Sequence, residues 1–453
     1  MADRKFMAGA ATSNISPRLG VSMNGGMQDR LAEHIHDELH ARVIVLDDGQ
    51  SRLALVVCDS CALPGDVIQA AKHIAHGHTG LTMDRILVSA THTHSAPTAV
   101  SVFQSEPDQE YAEFLVMRIA DGIRRAINQL APAKIGWCVA QEPTEVFNRR
   151  WKMKPGGIPA DPFGRQTDQV QMNPPRGSAE LDEPAGPIDP DVTLLSLQHA
   201  DGRPLAVLAN YSLHYVGDTL PNDVSGDYFA AFADSMQQLL KADRLDPPFV
   251  GMMFNGTSGN INNIDFRATP EPQPPYTRIR GVARRVAEKA HEALKTVEYH
   301  DWAGLDMREA RLKLGRRLPA PDEVDRAKFV LSQVKGNGPL TTAEQLYARE
   351  TLLLSEMSKE LETVVQALRI GDLGIAAIPC ETFVETGLAI KESSPLKPTM
   401  TISLANDYAG YLPTVEHHAL GGYETWRARS SFLEVEAEPR IRGKVLELLG
   451  ELA

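Results

Sequence analysis

The chain has 453 residues, of which 46 are basic and 59 acidic, so its formal charge at neutral pH is −13. Hydrophobic residues make up 43% and charged residues 23% of the sequence, which excludes a disordered or fibrous chain. The acidic balance argues against nucleic acid and anionic membranes as partners, because both attract positively charged surfaces. At roughly 150 residues per domain, the length allows one large domain or two to three ordinary ones.

The N-terminal sequence and the cysteines indicate a reducing, aqueous compartment. The first residues carry charges and lack the apolar run of about 7–15 residues that a signal peptide needs. No run of about 18 apolar residues occurs that could span a membrane. Four cysteines are too few for a disulfide scaffold, and we interpret Cys58 and Cys61 as small buried hydrophobic residues rather than a redox or zinc pair. We therefore expect a cytoplasmic protein without stable membrane association.

Short continuous apolar runs alternate with amphipathic segments along the chain. Continuous runs are typical of strands that are buried on both faces. The predicted strands are 52–58, 86–90, 192–197, 205–208, 249–254, 375–378 and 400–404. The predicted helices are 64–75, 108–130, 228–240, 277–294, 321–334, 341–361 and 440–452. This alternation predicts an α/β fold, a single large domain with a mixed, mostly buried β-sheet flanked by helices.

Two segments stand apart from this pattern. Segment 318–361 contains two amphipathic patterns split by Gly336-Asn337-Gly338-Pro339, which predicts a helical insertion within one domain that spans 1–453. Segment 154–190 is rich in Pro, Gly, Asp and Gln and has no clear periodicity. Loops of this length are usually functional or mobile. We expect the loop and the inserted helices to form the floor of a pocket.

The most informative segment is the predicted strand 86–90, which runs into Thr91-His92-Thr93-His94-Ser95. Two histidines at i and i+2 of an extended chain point to the same side. The end of a buried strand opens into the crevice where α/β proteins bind ligands, and imidazole is a good zinc ligand. By itself, however, this pattern also fits a pair of exposed loop histidines.

Three further predicted strands also end in polar residues. These residues are His214, Glu381, Asp407, Tyr408 and Tyr411. Taken singly, His214 fits a packed or loop histidine, and Glu381 fits a charge at a helix N-terminus. Together with the first histidine pair they predict one pocket with the mixed histidine and carboxylate ligands of a zinc hydrolase.

Two polar loops could hold a substrate. The turn at 255–260, Asn-Gly-Thr-Ser-Gly-Asn, can present backbone N–H groups and hydroxyls, and Arg149 can bind a carbonyl or carboxylate. The alternatives are a plain Asn-rich turn and a solvated arginine. Asn260 stands where a serine-hydrolase elbow needs Gly, so that nucleophile motif is broken. The P-loop, the dinucleotide fingerprint and H-E-x-x-H are also absent from the sequence.

The segment Ser89-Ala90-Thr91-His92-Thr93-His94-Ser95-Ala96-Pro97 resembles the S-A-T-H-T-H-S-G-P motif of the neutral/alkaline non-lysosomal ceramidases. Three later segments, 210–214, 379–383 and 406–414, resemble further motifs of that family in the same order. The resemblance extends over about residues 7–424, which is most of the chain.

The resemblance implies a zinc-dependent amidase with metal ligands His92, His214, Glu381 and Tyr411. It implies that His94 lies near the reacting carbonyl and that Arg149 helps to hold the substrate. Ser258 aligns with the serine of the family's G-D-V-S-P-N turn, although Gly256 and Gly259 replace the aspartate and proline of that turn. We assign catalytic roles to His94, Arg149 and Ser258, and substrate binding to Asn255, Asn260 and Tyr408.

Typical members of that family are longer, carry a C-terminal immunoglobulin-like domain and act on a membrane lipid, whereas this sequence is acidic and has 6% aromatic residues. We therefore predict a Zn²⁺-dependent hydrolase that cleaves a C–N amide bond of a small or medium, non-membrane substrate with metal-activated water. The alternatives are an esterase or lactonase that uses the same zinc, and a zinc-containing binding protein without turnover. A homo-oligomer is possible.

Overall fold

The computed structural model describes residues 5–336 and 338–453. Its main elements form an eight-stranded and a four-stranded β-sheet. The strands of the larger sheet are β1 (Met7–Asn14), β2 (His40–Asp47), β3 (Arg52–Cys58), β4 (Ile86–Ala90), β5 (Ala131–Gln141), β6 (Asp191–His199), β7 (Pro204–Tyr211) and β8 (Val250–Asn255). Those of the smaller sheet are β9 (Leu305–Gly315), β10 (Glu360–Ile370), β11 (Leu373–Ala377) and β12 (Thr399–Ile402).

The described residues form nine helices. They are α1 (Gly65–Thr79), α2 (Gln109–Asn128), α3 (Asp227–Leu239), α4 (Thr277–Leu294), α5 (Pro321–Ser332), α6 (Ala343–Ser355), α7 (Val384–Ser393), α8 (Val415–Leu420) and α9 (Ala437–Leu452). Of these, α1–α4 cover the outer face of the larger sheet, and α7 and α9 pack on the smaller one. Two 3₁₀ turns lie at Met83–Arg85 and Tyr423–Thr425. No helix among the described residues is long and apolar enough to cross a bilayer.

Short strands line the loops. They are Ser22–Met23, Arg30–Leu31, His34–Ile35, Phe147–Asn148, Arg150–Met153, Val170–Met172, Leu181–Pro184, Asp223–Val224, Ile261–Asn262, Glu381–Thr382 and Tyr411–Leu412. The segment predicted as an irregular loop at 154–190 thus contains two strands, which pair with the strand before it in a small three-stranded sheet.

Both main sheets are mixed, as the sequence predicted. The strand orders are β8-β7-β6-β5-β1-β2-β3-β4 and β9-β10-β11-β12. The pairs β3–β4, β7–β8 and β11–β12 are parallel, and the remaining neighbours are antiparallel.

The apolar core lies in layers on both faces of the larger sheet. In β3, Leu55 and Val57 face a core shared with the smaller sheet, whereas Ala54 and Val56 face α1 and α2. The helices α3 and α4 cover the β6–β8 part of the same outer face, and α9 packs on the smaller sheet. Because both faces are covered, each central strand reads as one continuous apolar run rather than an alternating one.

The two ends of the larger sheet are brought together by the segment 403–406, which follows β12. The N–H of Ser403 donates to Asn255 O at the end of β8 at 3.0 Å. On the other side, the N–H of Asn406 donates to Val88 O in β4 at 2.7 Å. Strands that lie at opposite ends of the strand order therefore end at the same place, and this place holds the candidate site.

The differences from the predicted elements have clear physical causes. The helix predicted at 341–361 ends at Ser355, and β10 begins at Glu360. The strand β9 was missed because charged residues are interspersed with its apolar ones, so it lacks the apolar run of the buried strands. The two helices predicted in segment 318–361 are present as α5 and α6, and Asn337 of their predicted connector lies outside the described residues.

Candidate metal centre and its pocket

Two histidines from opposite ends of the larger sheet meet at this place. His92 follows β4, with a backbone φ of 76° that only a minority of non-glycine residues adopt. His214 follows β7. The Nε2 atoms of the two rings lie 3.0 Å apart, and both side chains are buried.

The other nitrogen of each ring is fixed by a backbone carbonyl. His92 Nδ1 donates to Cys61 O at 2.7 Å, and His214 Nδ1 donates to Ser258 O at 3.0 Å. Because a carbonyl oxygen only accepts, both protons of the neutral rings are on Nδ1. The Nε2 atoms therefore face each other as the positions left to bind a metal, as in histidines whose Nδ1–H is held by a backbone carbonyl.

A carboxylate from the smaller sheet completes this group. Glu381 lies three residues beyond Ile378, after β11, and its backbone pairs in parallel register with Tyr411. Its Oε2 lies 3.2 Å from His92 Nε2 and 3.9 Å from His214 Nε2. In the described part of the chain this buried oxygen has no partner in hydrogen-bonding geometry, although it lies within ion-pair distance of His92.

These three groups fit a zinc ion. Tetrahedral zinc with ligands at about 2.0–2.1 Å separates its ligand atoms by about 3.3 Å. The observed separations of 3.0, 3.2 and 3.9 Å lie around that value. The three groups converge on one point, where either a proton on His92 or a bound cation can offset the negative charge of Glu381. His92, His214 and Glu381 are thus a candidate metal site.

The charges of the group are strongly coupled. Burial lowers the pKa of His92, but the neighbouring Glu381 carboxylate and Cys61 outweigh burial and raise it well above the usual value. Burial, followed by the charges of His92 and Arg149, holds the pKa of His214 well below its usual value. Burial raises the pKa of Glu381, but His92 outweighs it, so Glu381 remains ionised. Of the two histidines, His92 is therefore the one that carries a positive charge, and it is paired with the ionised Glu381.

His94 stands beside this group as a neutral imidazole. Its Nε2 lies 3.2 Å from His92 Nε2, and its ring stacks on Tyr215 with a centroid distance of 3.6 Å. Burial, with the charges of His92 and Arg149, keeps its pKa well below the usual value. Gly25 closes the other side, where an added Cβ would lie 2.5 Å from His94 Cβ. The ring is thus held rigidly with Nδ1 free of protein partners among the described residues.

Arg149 brings a fixed positive charge to the site. Its Nη2 donates to Tyr411 Oη at 3.1 Å, and its Nε donates to Glu424 Oε1 at 3.0 Å. Arg150 donates to the other oxygen of Glu424 at 2.6 Å, so this buried carboxylate is shared by two arginines. Although burial lowers the pKa of Arg149, Tyr411 and Glu424 outweigh it, and the guanidinium remains charged.

The centre opens into a pocket of about 220 Å³. The sequence-predicted residues that line it are His92, His94, Arg149, Glu381, Tyr408 and Tyr411. Tyr408 Oη donates to Glu381 Oε1 at 2.9 Å. The loop predicted to form the pocket floor contributes Met172 and Asn173. None of the described residues of 318–361 is among the lining residues, so the inserted helices support the pocket from behind.

Three predicted substrate or catalytic residues lie behind the metal ligands instead of among the described residues of the pocket wall. Asn255 donates from Nδ2 to Thr91 O at 3.2 Å and accepts from Ser258 Oγ at 2.8 Å. Asn260 donates to Glu385, and its Oδ1 accepts from the N–H of Val384 at 2.9 Å. The hydrogen bonds of these three residues support the ligand loops from within the protein, and their predicted contacts with a substrate stay a prediction.

Several residues of the pocket were not predicted from sequence. They are Tyr215, Tyr423 and the turn 24–26, together with Glu424 behind Arg149. Cys61 was interpreted as a buried hydrophobic residue, yet it lines the pocket with Sγ 3.8 Å from His92 Nδ1. The C-x-x-C spacing pointed towards it, but its partner Cys58 lies in the core and all four cysteines are free thiols.

Comparison with known proteins identifies the fold. No protein-family profile matches the chain. Over its whole length the structure matches solved ceramidase structures. It covers 99% of this chain and 75% of neutral ceramidase from Pseudomonas aeruginosa, with a TM-score of 0.74 and 18% sequence identity. A ceramidase structure described as complexed with C2 matches with the same TM-score of 0.74 and 17% identity.

One curated relative gives a weaker match in sequence. Neutral ceramidase A of Dictyostelium discoideum is 25% identical over 242 residues, which cover 50% of this chain and 31% of that protein. The chain thus aligns with less than a third of that relative's length. At these identities the comparisons show that the chain has the neutral ceramidase fold, as the resemblance of its motifs predicted.

Proposed function

We propose that the protein is a zinc-dependent hydrolase that cleaves the C–N bond of a small amide. The observation that carries this proposal is the convergence of His92 Nε2, His214 Nε2 and Glu381 Oε2 beside a pocket. The neutral ceramidase fold supports amide chemistry, because ceramide is an amide. Tyr411 stays a predicted fourth ligand, since its phenol lies beside Glu381 and hydrogen-bonds with it.

A bound zinc would supply a Lewis acid that activates water and polarises a carbonyl. The chain's own groups do the rest. Arg149 is permanently charged and points towards Tyr411 in the pocket wall, where it can orient a substrate carbonyl. His94 is neutral, so its Nδ1 or Nε2 can hold a proton and pass it to the leaving amine. The stacked Tyr215 keeps that ring in one orientation.

The size of the pocket supports a small substrate. Its volume of about 220 Å³ lies below the roughly 300 Å³ at the lower end of ordinary small-molecule sites. A molecule with two long apolar chains would have to extend far beyond it. We therefore propose a substrate smaller than the lipid that the name ceramidase suggests.

The proposal is tested by metal content and hydrolysis measured on the same preparations. Protein purified without chelator should contain about one zinc per chain and hydrolyse at least one member of a panel of simple amides. His92→Ala should lose both properties. His73→Ala replaces an exposed histidine of α1 and should keep both. Retention of zinc and hydrolysis by His92→Ala would overturn the assignment.

The bond type needs a separate comparison. Matched amide and ester analogues with the same acyl group should both be cleaved at the zinc site. The turnover rate of the amide should be comparable to that of the ester. Cleavage of esters alone would replace the amidase proposal with an esterase or lactonase. Bound zinc without turnover of either series would favour a binding protein.

A further inference from the structure

We infer that the two inserted helices, α5 and α6, determine which acyl groups enter the pocket, because they hold Phe103 and Met27 in place as its apolar wall. The inference rests on the proposed function and names its substrate class, amides with a compact apolar acyl group of a few carbons.

The apolar wall is a distinct part of the pocket. Met27, Val102 and Phe103 line it, whereas most of the remaining lining is polar or belongs to the metal centre. These residues belong to an apolar cluster that continues outwards to Tyr347 of α6. The rings of Phe103 and Tyr347 meet edge to face at a centroid distance of 5.8 Å. The insertion therefore packs directly on the back of the wall.

Phe103 is held in an unfavourable backbone conformation. Its φ is 50°, in the left-handed region that a bulky residue rarely adopts. Its carbonyl accepts hydrogen bonds from Arg349 of α6 and from Arg429, the latter at 2.6 Å. Arg429 is itself paired with the buried Glu350 of α6 at 2.9 Å. Such strain persists only where the surroundings over-determine it, and here the charged groups of α6 supply that restraint.

The connection between the two inserted helices holds both wall loops at once. Leu340 donates its N–H to Gln104 Oε1 at 2.8 Å, and its carbonyl accepts from Gln104 Nε2 at 3.2 Å. The same carbonyl accepts from Gln28 Nε2 at 2.7 Å. Gln104 also donates to Met27 O at 3.2 Å. The loops of Met27 and Phe103 are thus tied to each other and to the insertion.

A wall fixed in this way limits the acyl group by size. The pocket of about 220 Å³ ends at the side chain of Phe103. Arg429 binds the backbone carbonyl of this residue, and Tyr347 of α6 packs on its ring, so its position is fixed. An apolar wall next to a metal centre favours an apolar group on the reacting carbonyl. A compact acyl group fits within these limits, and a long straight chain collides with Phe103.

The test measures binding of acetamide, butanamide, hexanamide and octanamide by calorimetry, on both metal-free and zinc-loaded protein, with hydrolysis of the matching anilides measured in parallel. Phe103→Ala should raise the affinity for octanamide relative to acetamide by about tenfold or more, and should lower the KM of the octanoyl anilide relative to that of acetanilide. Phe329→Ala, at a 66% exposed position of α5, should leave the length preference unchanged.

A second variant keeps the test decisive should Phe103→Ala fail to fold. Phe103→Leu retains an apolar side chain and should shift the preference in the same direction by a smaller factor. An unchanged length preference in the folded Phe103 variant, or an equal shift in Phe329→Ala, would overturn the inference.

The two proposals fail in different ways. If no amide is hydrolysed but the length preference in binding still moves with Phe103, the function is wrong and the wall assignment stands. If amides are hydrolysed and the preference does not move, the function stands and the wall assignment is wrong.

Discussion

Ser258 shows how a residue can matter through its backbone alone. Its carbonyl fixes the His214 tautomer, while its hydroxyl donates to Asn255. We expect Ser258→Ala to keep zinc and to retain activity within about tenfold of the wild type, because the carbonyl remains and only a supporting hydrogen bond is lost. A catalytic nucleophile would instead lose several orders of magnitude in kcat. Zinc content and kcat of the purified variant decide between these roles.

Gly25 and Gly20 are two glycines that can be compared directly, because they share a left-handed backbone but differ in their contact with His94. Both have positive φ values, 100° and 86°. An added Cβ at Gly25 would lie 2.5 Å from His94 Cβ, whereas at Gly20 it would meet nothing within 4 Å. Each alanine variant should lose about 1–3 kcal/mol in free energy of unfolding from backbone strain. Only Gly25→Ala should also lower kcat, by about a hundredfold, since it displaces His94.

Equal kcat values in the two glycine variants would show that the position of His94 is unimportant. Urea unfolding and steady-state kinetics on both variants and the wild type suffice for the comparison. Zinc content should be the same in all three, because neither glycine touches the metal ligands His92, His214 and Glu381.

At the scale of elements, α1 is joined to the segment 403–406 by a buried amine. Lys72 Nζ donates to Asn406 Oδ1 at 2.8 Å, and Asn406 also donates to Gln366 of β10 at 2.7 Å. Burial lowers the pKa of Lys72 from 10.5 to about 8. Between these two values the folded chain binds fewer protons than the unfolded chain, so the contribution of Lys72 to stability rises with pH across that window.

The corresponding prediction compares wild type with Lys72→Met. The free energy of unfolding of the wild type relative to this variant should rise by up to about 3 kcal/mol from pH 8 to pH 10.5. Below pH 8 the difference should be constant, because the amine is then protonated in both states. Urea titrations across this range measure it, and parallel curves for the two proteins would contradict the lowered pKa.

The elements themselves were predictable where burial on both faces gives a continuous apolar run, as in β3, β4 and β7. The predictions missed β2 although it too is buried on both faces, and they failed where charged residues interrupt the apolar ones, as in β9, or where a helical pattern runs on into a strand, as at Ser355 and Glu360. Local periodicity indicates which side chains are buried. It does not indicate which elements pack against each other in the fold.

At the scale of the whole molecule, the strand ends predicted that the candidate metal ligands share one pocket, but they did not specify how the strands are brought together. His92 and His214 follow strands at opposite ends of an eight-stranded order. They meet because the segment 403–406 bridges β4 and β8 through long-range backbone hydrogen bonds. Such pairings depend on the curvature of the whole sheet, which no local sequence window specifies. The strand-end pattern and the resemblance of the motifs to a known family both anticipated that these residues meet, and neither specified the bridge through 403–406.

A metal at the candidate site would link the two sheets, since His92 and His214 follow strands of the larger sheet and Glu381 follows a strand of the smaller one. We therefore expect one cooperative thermal transition that shifts as a whole with zinc. Free zinc at a hundred times its Kd should add about 2.7 kcal/mol to the free energy of unfolding. Calorimetry with and without chelator measures the shift, and His92→Ala should abolish it while His73→Ala preserves it. If only part of a split transition responds to zinc, the ligands do not bind the ion across the two sheets, because a bridging ion stabilises both sheets together.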